Sequence, residues 1–388
     1  TSAFSCEMAG LCLAAAALLV ATVLSKYKKS PEQVGSQAVC LALGLWAAVC
    51  LISLSLFWGL ALFSLSCLLM YTYLSEQEWL PVDQKAVLVT GSDCGLGHAI
   101  CKHLDKMGFT VFAGVLNEQG SGAEELRRSC SSRLSVLQMD VTKPEQVKEA
   151  HSKVVEKVQD KGLWAVINNA GIFGFPADGE LIPMNEYKQC MAVNFFGAVE
   201  VTKTFLPLLR RSKGRLVNIS SMGAGVPMEK MASYSSTKAA LTMFSSVMRQ
   251  ELSKWGVKVA VVQPGAFQTK ITGTSDMWEM HEKKILEHLP REVLADYGED
   301  YILTLKHFLA HLLDTASPDF SPLILDVQHA LCAKHPAAFY SPGKRAFLWL
   351  CMASIFPTGL NDYLWKTNAT KARHMPRALS LPNRNKAM

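Results

Sequence analysis

The sequence lacks the cysteine pattern of a disulfide-bonded or zinc-binding framework. Its 11 cysteines are odd in number and scattered, no two form a CxxC pair, and four lie in strongly apolar segments. Small extracellular domains and zinc sites normally carry even sets or paired spacings. The cysteines therefore argue against such a framework and favour a reducing compartment, the cytosol.

Charge is nearly absent from the N-terminal region. Residues 9–24 form an apolar run, and residues 37–74 contain 38 residues without one charge. Because about 20 apolar residues span a bilayer, the second run fits two short helices or one long tilted helix. A cleaved signal peptide would place its basic residues before the apolar stretch, whereas here three lysines follow it. We therefore expect residues 1–80 to be a retained transmembrane anchor.

Those lysines, Lys26, Lys28 and Lys29, should stay on the cytosolic side of the membrane. If residues 37–74 cross twice, the rest of the chain is cytosolic, and if they cross once, it is luminal. Together with the cysteine pattern, these considerations favour a cytosolic location for the chain that follows the anchor.

Acidic residues are absent from the chain after Lys366. The six basic residues of this tail account for the whole formal charge of +6. A basic tail on an otherwise balanced chain favours contact with anionic lipid over a nucleic-acid-binding face. We assign residues 344–388 to an apolar segment followed by this tail.

Short runs dense in Val, Ile and Leu alternate with longer segments of helical period through the remaining chain. Strands are predicted at 85–90, 110–114, 134–138, 164–167, 215–219 and 257–263, and helices at 98–107, 144–159, 185–211 and 233–255. Such alternation implies right-handed crossovers, and therefore an α/β fold with a Rossmann-type doubly wound parallel sheet over residues 81–343. In such sheets ligands bind beyond the carboxyl ends of the strands.

A glycine-rich turn follows the first predicted strand, in Thr90-Gly-Ser-Asp-Cys-Gly-Leu-Gly97. Glycines at 91, 95 and 97 would let the backbone approach a pyrophosphate at the start of the next helix. The spacing differs from G-x-G-x-x-G, and by itself the loop could equally be a plain turn. Polar or turn-forming stretches also follow later strands, at 140–141, 168–171 and 264–269.

Two tyrosines have a lysine four residues further on. Tyr340 and Lys344 are separated by Ser-Pro-Gly, which excludes a helix between them. Tyr234 and Lys238 begin a predicted helix and would lie on one face of it. Only the second pair is a candidate for joint chemistry.

Taken in order, these motifs resemble the short-chain dehydrogenase/reductase family. The matching residues are the glycine loop 90–97, Asn-Asn-Ala-Gly at 168–171, Asn194, Ser221, Tyr234-x-x-x-Lys238 and Pro264-Gly265. The resemblance covers about residues 83–270. The apolar N-terminal region and the long C-terminal extension are more similar to the membrane-bound steroid and retinol dehydrogenase branch of the family.

The resemblance implies a catalytic set of Asn194, Ser221, Tyr234 and Lys238. Free tyrosine has a pKa of about 10, so Tyr234 needs nearby positive charge to act as a base, a shift of roughly two to three pKa units. Lys238 and an oxidised nicotinamide would supply that charge. Ser221 would hold the substrate oxygen, with Ser220 as the competing candidate, and Asn194 would hold a relay water through its backbone.

The resemblance also implies a nicotinamide dinucleotide cofactor. The ribose-binding aspartate expected after the second strand is replaced by Gly114, so Asn117 or Glu118 would have to substitute for it. Because no Arg or Lys is placed for a 2′-phosphate, we expect NAD. The predicted cofactor-binding residues are Thr90, Gly91, Asp93, Gly95, Leu96, Gly97, Asn117, Asp140, Val141, Asn168, Ala170, Gly171, Tyr234, Lys238, Pro264, Gly265 and Thr269.

An apolar pocket is predicted around Ser221, with Met222, Phe173 and Phe267 as substrate contacts. Phe175, Met184, Val226, Met228 and Met231 are further candidates, although core packing explains any one of them as well. Residues 271–318 would form a substrate lid. No metal site is expected, and the two long helices could pack a homodimer.

The branch resemblance implies oxidation of the 17β-hydroxyl of steroids such as estradiol and testosterone, at the endoplasmic reticulum membrane. The alternatives are retinol, an 11β-hydroxysteroid, or a silent dinucleotide-binding membrane scaffold.

Overall fold

The computed structural model describes residues 2–29, 31–53, 56–74, 78–273, 275–305, 313–369 and 375–380. The chain divides into two units, residues 1–78 and 79–388.

The first unit is helical over residues 2–29, 31–53 and 56–74. It contains α1 (Ser2–Lys29), α2 (Pro31–Ser53) and α3 (Leu56–Leu74), so the uncharged run 37–74 lies in two helices instead of one. Trp46 and Cys50 are buried, whereas Leu41 and Ile52 are 75% and 84% exposed. Apolar stretches in these helices are Cys12–Ser25, Cys40–Ile52 and Trp58–Cys67, and they do not by themselves show a membrane crossing. The membrane anchor thus stays a prediction.

The second unit is built on a parallel seven-stranded sheet with the order β3-β2-β1-β4-β5-β6-β7, which confirms the Rossmann-type fold. The strands are β1 (Ala86–Thr90), β2 (Thr110–Val115), β3 (Leu134–Gln138), β4 (Ala165–Asn168), β5 (Arg215–Ile219), β6 (Lys258–Val262) and β7 (Phe339–Tyr340). The order reverses between β1 and β4, so the ligand-binding crevice of this fold class lies at their carboxyl ends.

Helices cover both faces of this sheet. Those between the strands are α4 (Gly95–Met107), α5 (Ser121–Ser129), α6 (Pro144–Val158), α7 (Met184–Met191), a π-helical segment (Ala192–Gly197), α8 (Ala198–Ser212) and α9 (Ala232–Ser253). Those after β6 are α10 (Ser275–His288), α11 (Arg291–Tyr297), α12 (Glu299–Leu303), α13 (Ser321–Cys332), α14 (Ala346–Ile355), α15 (Thr358–Ala369) and α16 (Arg377–Ser380).

The apolar stripes of these helices explain the two core layers. On one face, Leu104 of α4 and Val327 of α13 belong to the buried cluster with Val87 and Val89 of β1. On the other face, Phe205 of α8 belongs to the cluster that contains Leu88. Every residue of β1 is buried, as expected for a central parallel strand covered by helices on both sides.

One helix of the second unit, residues 184–212, has the length and composition of a membrane span, but 44% of its apolar window is buried within the structure. It contains α7, the π-helical segment and α8, and it packs on the sheet. We therefore interpret it as a core helix of the α/β fold.

Candidate active site

The glycine loop is shaped for a close approach of another group to its backbone. Gly91 and Gly95 have φ of +65° and +59°, which favour glycine. A Cβ at residue 97 would overlap the carbonyl of Gly91 and the side-chain amide of Asn169. The loop opens α4, whose N-terminal amides attract anions. The structure thus places Gly91, Gly95 and Gly97 as predicted.

Asn169 holds this loop against β4. Its Nδ2 donates to the carbonyl oxygens of Thr90 at 2.9 Å and Gly91 at 3.0 Å. In return, Thr90 Oγ1 accepts from the backbone amides of Asn169 at 3.0 Å and Ala170 at 2.9 Å. Thr90 and Ala170 therefore fix the loop, and Asn169 is a supporting residue that the sequence pattern did not single out.

Asn168, predicted to bind the cofactor, has its side chain in the protein interior. Its Nδ2 donates to Thr202 Oγ1 at 2.9 Å and to Asn218 Oδ1 at 2.8 Å, and the residue is 3% exposed. Side chains alternate across a strand, and Asn168 is the last residue of β4. We correct the assignment: the Asn168 side chain ties β4 to β5 and α8, and it does not face the crevice.

Asp93 joins the glycine loop to the end of β2. Its carboxylate accepts from the amide of Leu116 at 2.9 and 3.0 Å and from that of Asn117 at 3.3 Å. The Asn117 side chain instead accepts from the amide of Gln119 at 3.0 Å. A carboxylate from the glycine loop therefore stands at the end of β2, and the Asn117 side chain is engaged elsewhere, while a role of Glu118 stays a prediction.

Asp140 closes the turn after β3. Its Oδ1 accepts from the amide of Thr142 at 3.0 Å and from the hydroxyl of the same residue at 2.7 Å. Val141, which follows, is buried where a Cβ at Gly197 would collide with it. Both lie at the carboxyl edge of the sheet, as predicted, and hold the turn in shape.

Tyr234, Lys238 and Ser221 come together beside β5. Tyr234 and Lys238 lie one turn apart on α9, and the Lys238 Nζ is 5.7 Å from the centre of the Tyr234 ring. That Nζ donates to the carbonyl of Ile219 at 3.0 Å, and the Ser221 hydroxyl hydrogen-bonds to the Tyr234 phenol. The three predicted residues thus form one buried site.

The neighbouring serine is excluded by its contacts. Ser220 Oγ donates to the carbonyl of Lys238 at 3.0 Å and is 2.8 Å from Thr242 Oγ1. Ser221 Oγ accepts from the amide of Gly223 at 3.1 Å and lies beside the Tyr234 phenol. Ser220 therefore fastens α9 to β5, and the choice of Ser221 rests on structure as well as on resemblance.

Asn194 lies in the π-helical segment, a conformation that occurs frequently at functional sites. Its Oδ1 accepts from the amide of Ile172 at 2.8 Å, and its Nδ2 donates to the Ile172 carbonyl at 2.9 Å and to Thr237 Oγ1 at 3.0 Å. The side chain is therefore fully engaged. A Cβ on Gly171 would lie 3.3 Å from both Asn194 Oδ1 and Lys238 Nζ, so the backbone of Gly171 packs closely against both side chains.

Burial shifts the two ionisable groups in opposite directions. It raises the pKa of Tyr234 to about 12, an effect that the Ser221 hydrogen bond partly offsets. Burial lowers the pKa of Lys238 to about 8. Without a further positive charge, the Tyr234 phenol therefore stays protonated near pH 7. The lowered tyrosine pKa that base catalysis requires is not a property of the protein alone.

The cationic form of Lys238 should destabilise the fold at pH 7. Because its folded-state pKa lies below the ordinary value, the unfolded chain binds the proton more tightly, and stability rises with pH between about 8 and 10.5. We expect Lys238→Met to raise the free energy of unfolding at pH 7 by about 1–2 kcal/mol, after loss of the bond to Ile219 is allowed for. Thermal unfolding measures this, with Lys203→Met on the exposed face of α8 as the control. A lower melting temperature for Lys238→Met than for the unchanged protein would contradict the predicted gain in stability.

An apolar cluster covers Tyr234. Phe173 packs on the Tyr234 ring, with ring centres 4.9 Å apart, and Phe175 and Met231 belong to the same cluster. Ile285 and Ile302, from the segment predicted as a lid, also contribute to it. Tyr234 therefore has the apolar surroundings that the sequence suggested. A lid over residues 271–318 stays a prediction, and residues 274 and 306–312 of that segment lie outside the described residues.

Two predicted pocket residues lie elsewhere. Phe267 belongs to the core cluster on the α4 and α13 face of the sheet, where its ring packs edge-on against Phe320 at 6.1 Å. Met184 is 66% exposed at the start of α7. We correct both: Phe267 supports the strand end from the core side, and Met184 does not line the pocket. Met222 remains a candidate because it follows Ser221 and its amide donates to the Pro264 carbonyl at 2.9 Å.

A cavity of about 380 Å³ adjoins the glycine loop. Its lining residues are Gly95, Gln268, Thr269, Lys270, Leu313 and Phe320. The predicted cofactor residue Thr269 packs closely against Gly95 at the edge of this cavity, since a Cβ on Gly95 would lie 3.3 Å from the Thr269 side chain. The glycine cradle, this cavity and the buried Tyr–Lys pair fit a nicotinamide dinucleotide. No cluster of His, Cys, Asp and Glu able to hold a metal occurs among the described residues.

The parallel sheet, glycine loop and buried Tyr–Lys–Ser site define a dinucleotide-dependent oxidoreductase. The profile of the short chain dehydrogenase family matches residues 85–280. The chain belongs to that family.

Curated relatives match over nearly the whole chain. The human protein named 17-beta-hydroxysteroid dehydrogenase type 2 is 66% identical over 385 residues, which cover 99% of each chain. An 11-beta-hydroxysteroid dehydrogenase type 2 from Bos taurus is 43% identical over 79% of this chain and 76% of its own. A solved short chain dehydrogenase/reductase from Burkholderia phymatum, in complex with NAD, has a TM-score of 0.59 at 16% identity, covering 70% of this chain and 94% of its own, and supports the fold.

Proposed function

We propose that this protein oxidises the 17β-hydroxyl of steroids such as estradiol and testosterone to the ketone, with NAD as the hydride acceptor. The assignment of a steroid substrate rests on the 66% identity, over 99% of both chains, to the human 17-beta-hydroxysteroid dehydrogenase type 2. The buried Tyr234, Lys238 and Ser221 supply groups suited to oxidation of a secondary alcohol.

The protein residues would act on the proton of the alcohol. Ser221 Oγ, adjacent to the phenol, holds the substrate oxygen, and Tyr234 takes its proton as the carbon–hydrogen bond breaks. NAD, when bound, would supply the hydride acceptor and a positive charge. Because the pKa of Tyr234, raised mainly by burial, is about 12 in the protein alone, Lys238 and that positive charge would together have to lower it. The backbone at Asn194 would hold a relay water, since its side chain is engaged with Ile172 and Thr237.

A substrate panel tests this proposal. The full chain in lipid nanodiscs is expected to reduce NAD with estradiol and testosterone far faster than with retinol or an 11β-hydroxysteroid. NADH formation with retinol but not with estradiol would overturn the steroid assignment. NAD binding without turnover of any alcohol would favour a silent scaffold.

The preference for NAD over NADP rests on Asp93. Its carboxylate lies within hydrogen-bond distance of the amides of Leu116 and Asn117 at the end of β2, where a 2′-phosphate would meet a negative charge. Glu118 follows on the same turn. We expect Asp93→Asn, which keeps an acceptor oxygen and removes the charge, to raise the relative efficiency with NADP by about 10-fold.

Steady-state kinetics with both cofactors measure this change. The control is Asp160→Asn, an exposed carboxylate that precedes β4 and so lies at the opposite edge of the sheet. Equal turnover of NAD and NADP by the unchanged protein would refute the assignment.

We also propose an endoplasmic reticulum anchor with the catalytic unit in the cytosol. Three helices in the first unit, with the lysine cluster after the first of them, support an odd number of crossings with an N-terminus in the lumen. Protease protection in sealed microsomes tests the orientation.

Exposed apolar residues on the two long helices, Phe196 and Met243 among them, support a homodimer.

A further inference from the structure

Helix α14 (Ala346–Ile355) is apolar around its whole circumference yet lies at the surface of the second unit. Its sequence, AFLWLCMASI, contains no charged residue. Phe347 and Ile355 are 67% and 75% exposed, and only Ala346 is fully buried. A helix that is hydrophobic on all sides normally belongs in a protein core or in lipid.

The apolar surface continues beyond α14. Phe356, Leu360 and Tyr363 are exposed on the following segment and on α15. We call residues 346–363 the apolar platform.

The platform begins directly beside the catalytic turn. A Cβ on Gly225 would lie 3.0 Å from Leu350 Cδ2, and a Cβ on Gly265 would lie 3.4 Å from Ala346 Cβ. Gly225 ends the short 3-10 turn that follows Ser221, and Gly265 follows β6. The N-terminal half of α14 is therefore packed against the two loops that border the proposed alcohol site.

The charge around α14 itself has one sign. No acidic residue occurs between Asp326 and Asp362, which lies on α15 near the far end of the platform, while Lys344 and Arg345 immediately precede α14. Exposed apolar side chains bordered by basic residues suit the interface of a bilayer, whose headgroups carry phosphate. Ten helical residues extend about 15 Å, roughly half of the hydrocarbon thickness, so α14 is too short to cross.

We propose that the apolar platform is a second membrane contact, formed by the catalytic unit itself, in which α14 lies in the plane of the lipid headgroup–acyl boundary. Phe347, Leu348 and Ile355 insert among the acyl chains, and Lys344 and Arg345 meet the phosphates. Given the proposed function, which this step requires, an apolar alcohol dissolved in the bilayer passes along α14 to Ser221.

Photo-crosslinking of the full chain in nanodiscs of phosphatidylcholine and phosphatidylserine tests the contact without relying on activity. With p-benzoylphenylalanine in place of Phe347 or Ile355, we expect irradiation to give protein–lipid adducts, read by mass, at least about 10-fold above those from the same group at Leu325. Leu325 is a matched control, since it is 52% exposed on α13. Equal adducts at all three positions, or adducts with a second copy of the chain at position 347, would overturn the proposal.

Kinetics separate the contact from the chemistry. In the same nanodiscs, Phe347→Ser combined with Ile355→Ser should raise the KM for estradiol about 5-fold or more, with kcat and the KM for NAD within twofold. Leu325→Ser combined with Val155→Ser, two exposed apolar positions on other helices, should change none of these values. An unchanged KM for estradiol in the platform variant would refute the substrate route. Absence of any steroid turnover in the unchanged protein would instead refute the proposed function. The membrane contact would then still be tested by the lipid adducts.

Discussion

Tyr234→Phe is expected to lower steroid oxidation by about 1000-fold or more while leaving NAD affinity within about twofold. The substitution removes only the phenolic oxygen, which is the atom that hydrogen-bonds to Ser221 and the one suited to take the substrate proton. General base catalysis by a positioned group contributes about 10²–10⁴ in rate. The ring itself is retained, so its packing against Phe173, with centres 4.9 Å apart, should persist.

The control for this prediction is another tyrosine whose hydroxyl has a partner. Tyr187 Oη donates to the carbonyl of Gly179 at 3.1 Å and belongs to the same apolar cluster as Tyr234. Tyr187→Phe should reduce turnover less than about threefold. Stopped assays of NADH formation and fluorescence titration with NAD give the two readouts. Retained activity in Tyr234→Phe would remove this residue from the mechanism, and parallel loss of NAD binding would point to a structural role instead.

The sheet could be predicted from sequence because buried parallel strands are continuous apolar runs. The six predicted strands match β1 to β6 within two residues at each end. β7 was missed because it has only two residues, Phe339 and Tyr340, which is too short for any periodicity. The Tyr340–Lys344 spacing was rightly rejected: the Tyr340 hydroxyl accepts from the amide of Ala337 at 2.9 Å and is 2.7 Å from His329 Nδ1, a structural role.

The chemistry of the site could be predicted, but the directions of its side chains could not. Motif order placed Ser221, Tyr234 and Lys238 together, and the structure does so. Whether Asn168 or Asn169 faces the crevice depends on where β4 ends, and strand ends are the least certain part of a sequence-based prediction. One residue of difference reverses the face of the sheet. In the same way, Phe267 follows β6 but lies on the core side, where its ring packs against Phe320.

Long-range contacts are the other part that sequence could not supply. Asp93 reaches the end of β2 across 23 residues of chain, and no local pattern indicates this. A glycine beside Asp93 is likewise constrained by a contact that is distant in sequence. Gly122 lies in the first turn of α5, where a Cβ would overlap the carbonyl oxygen of Asp93. In sequence this residue looks like an ordinary helix glycine that alanine should replace with a gain in stability.

Gly122→Ala is therefore expected to weaken NAD binding by about 10- to 100-fold and to destabilise the protein, the reverse of what helix propensity predicts. The added methyl group meets backbone and not a movable side chain, so α5 or the glycine loop must shift. A shift of the loop displaces Asp93 from the amides of Leu116 and Asn117, and with it the proposed dinucleotide cradle.

Gly359→Ala provides the matched comparison, because Gly359 is also helical and has no atom within 4 Å of the added Cβ position. That variant should bind NAD normally and gain up to about 1 kcal/mol in unfolding free energy. Titration with NAD and thermal unfolding of both variants measure the contrast. If Gly122→Ala bound NAD as tightly as Gly359→Ala, the glycine loop would not depend on α5, and the role assigned to Asp93 as the link between them would be wrong.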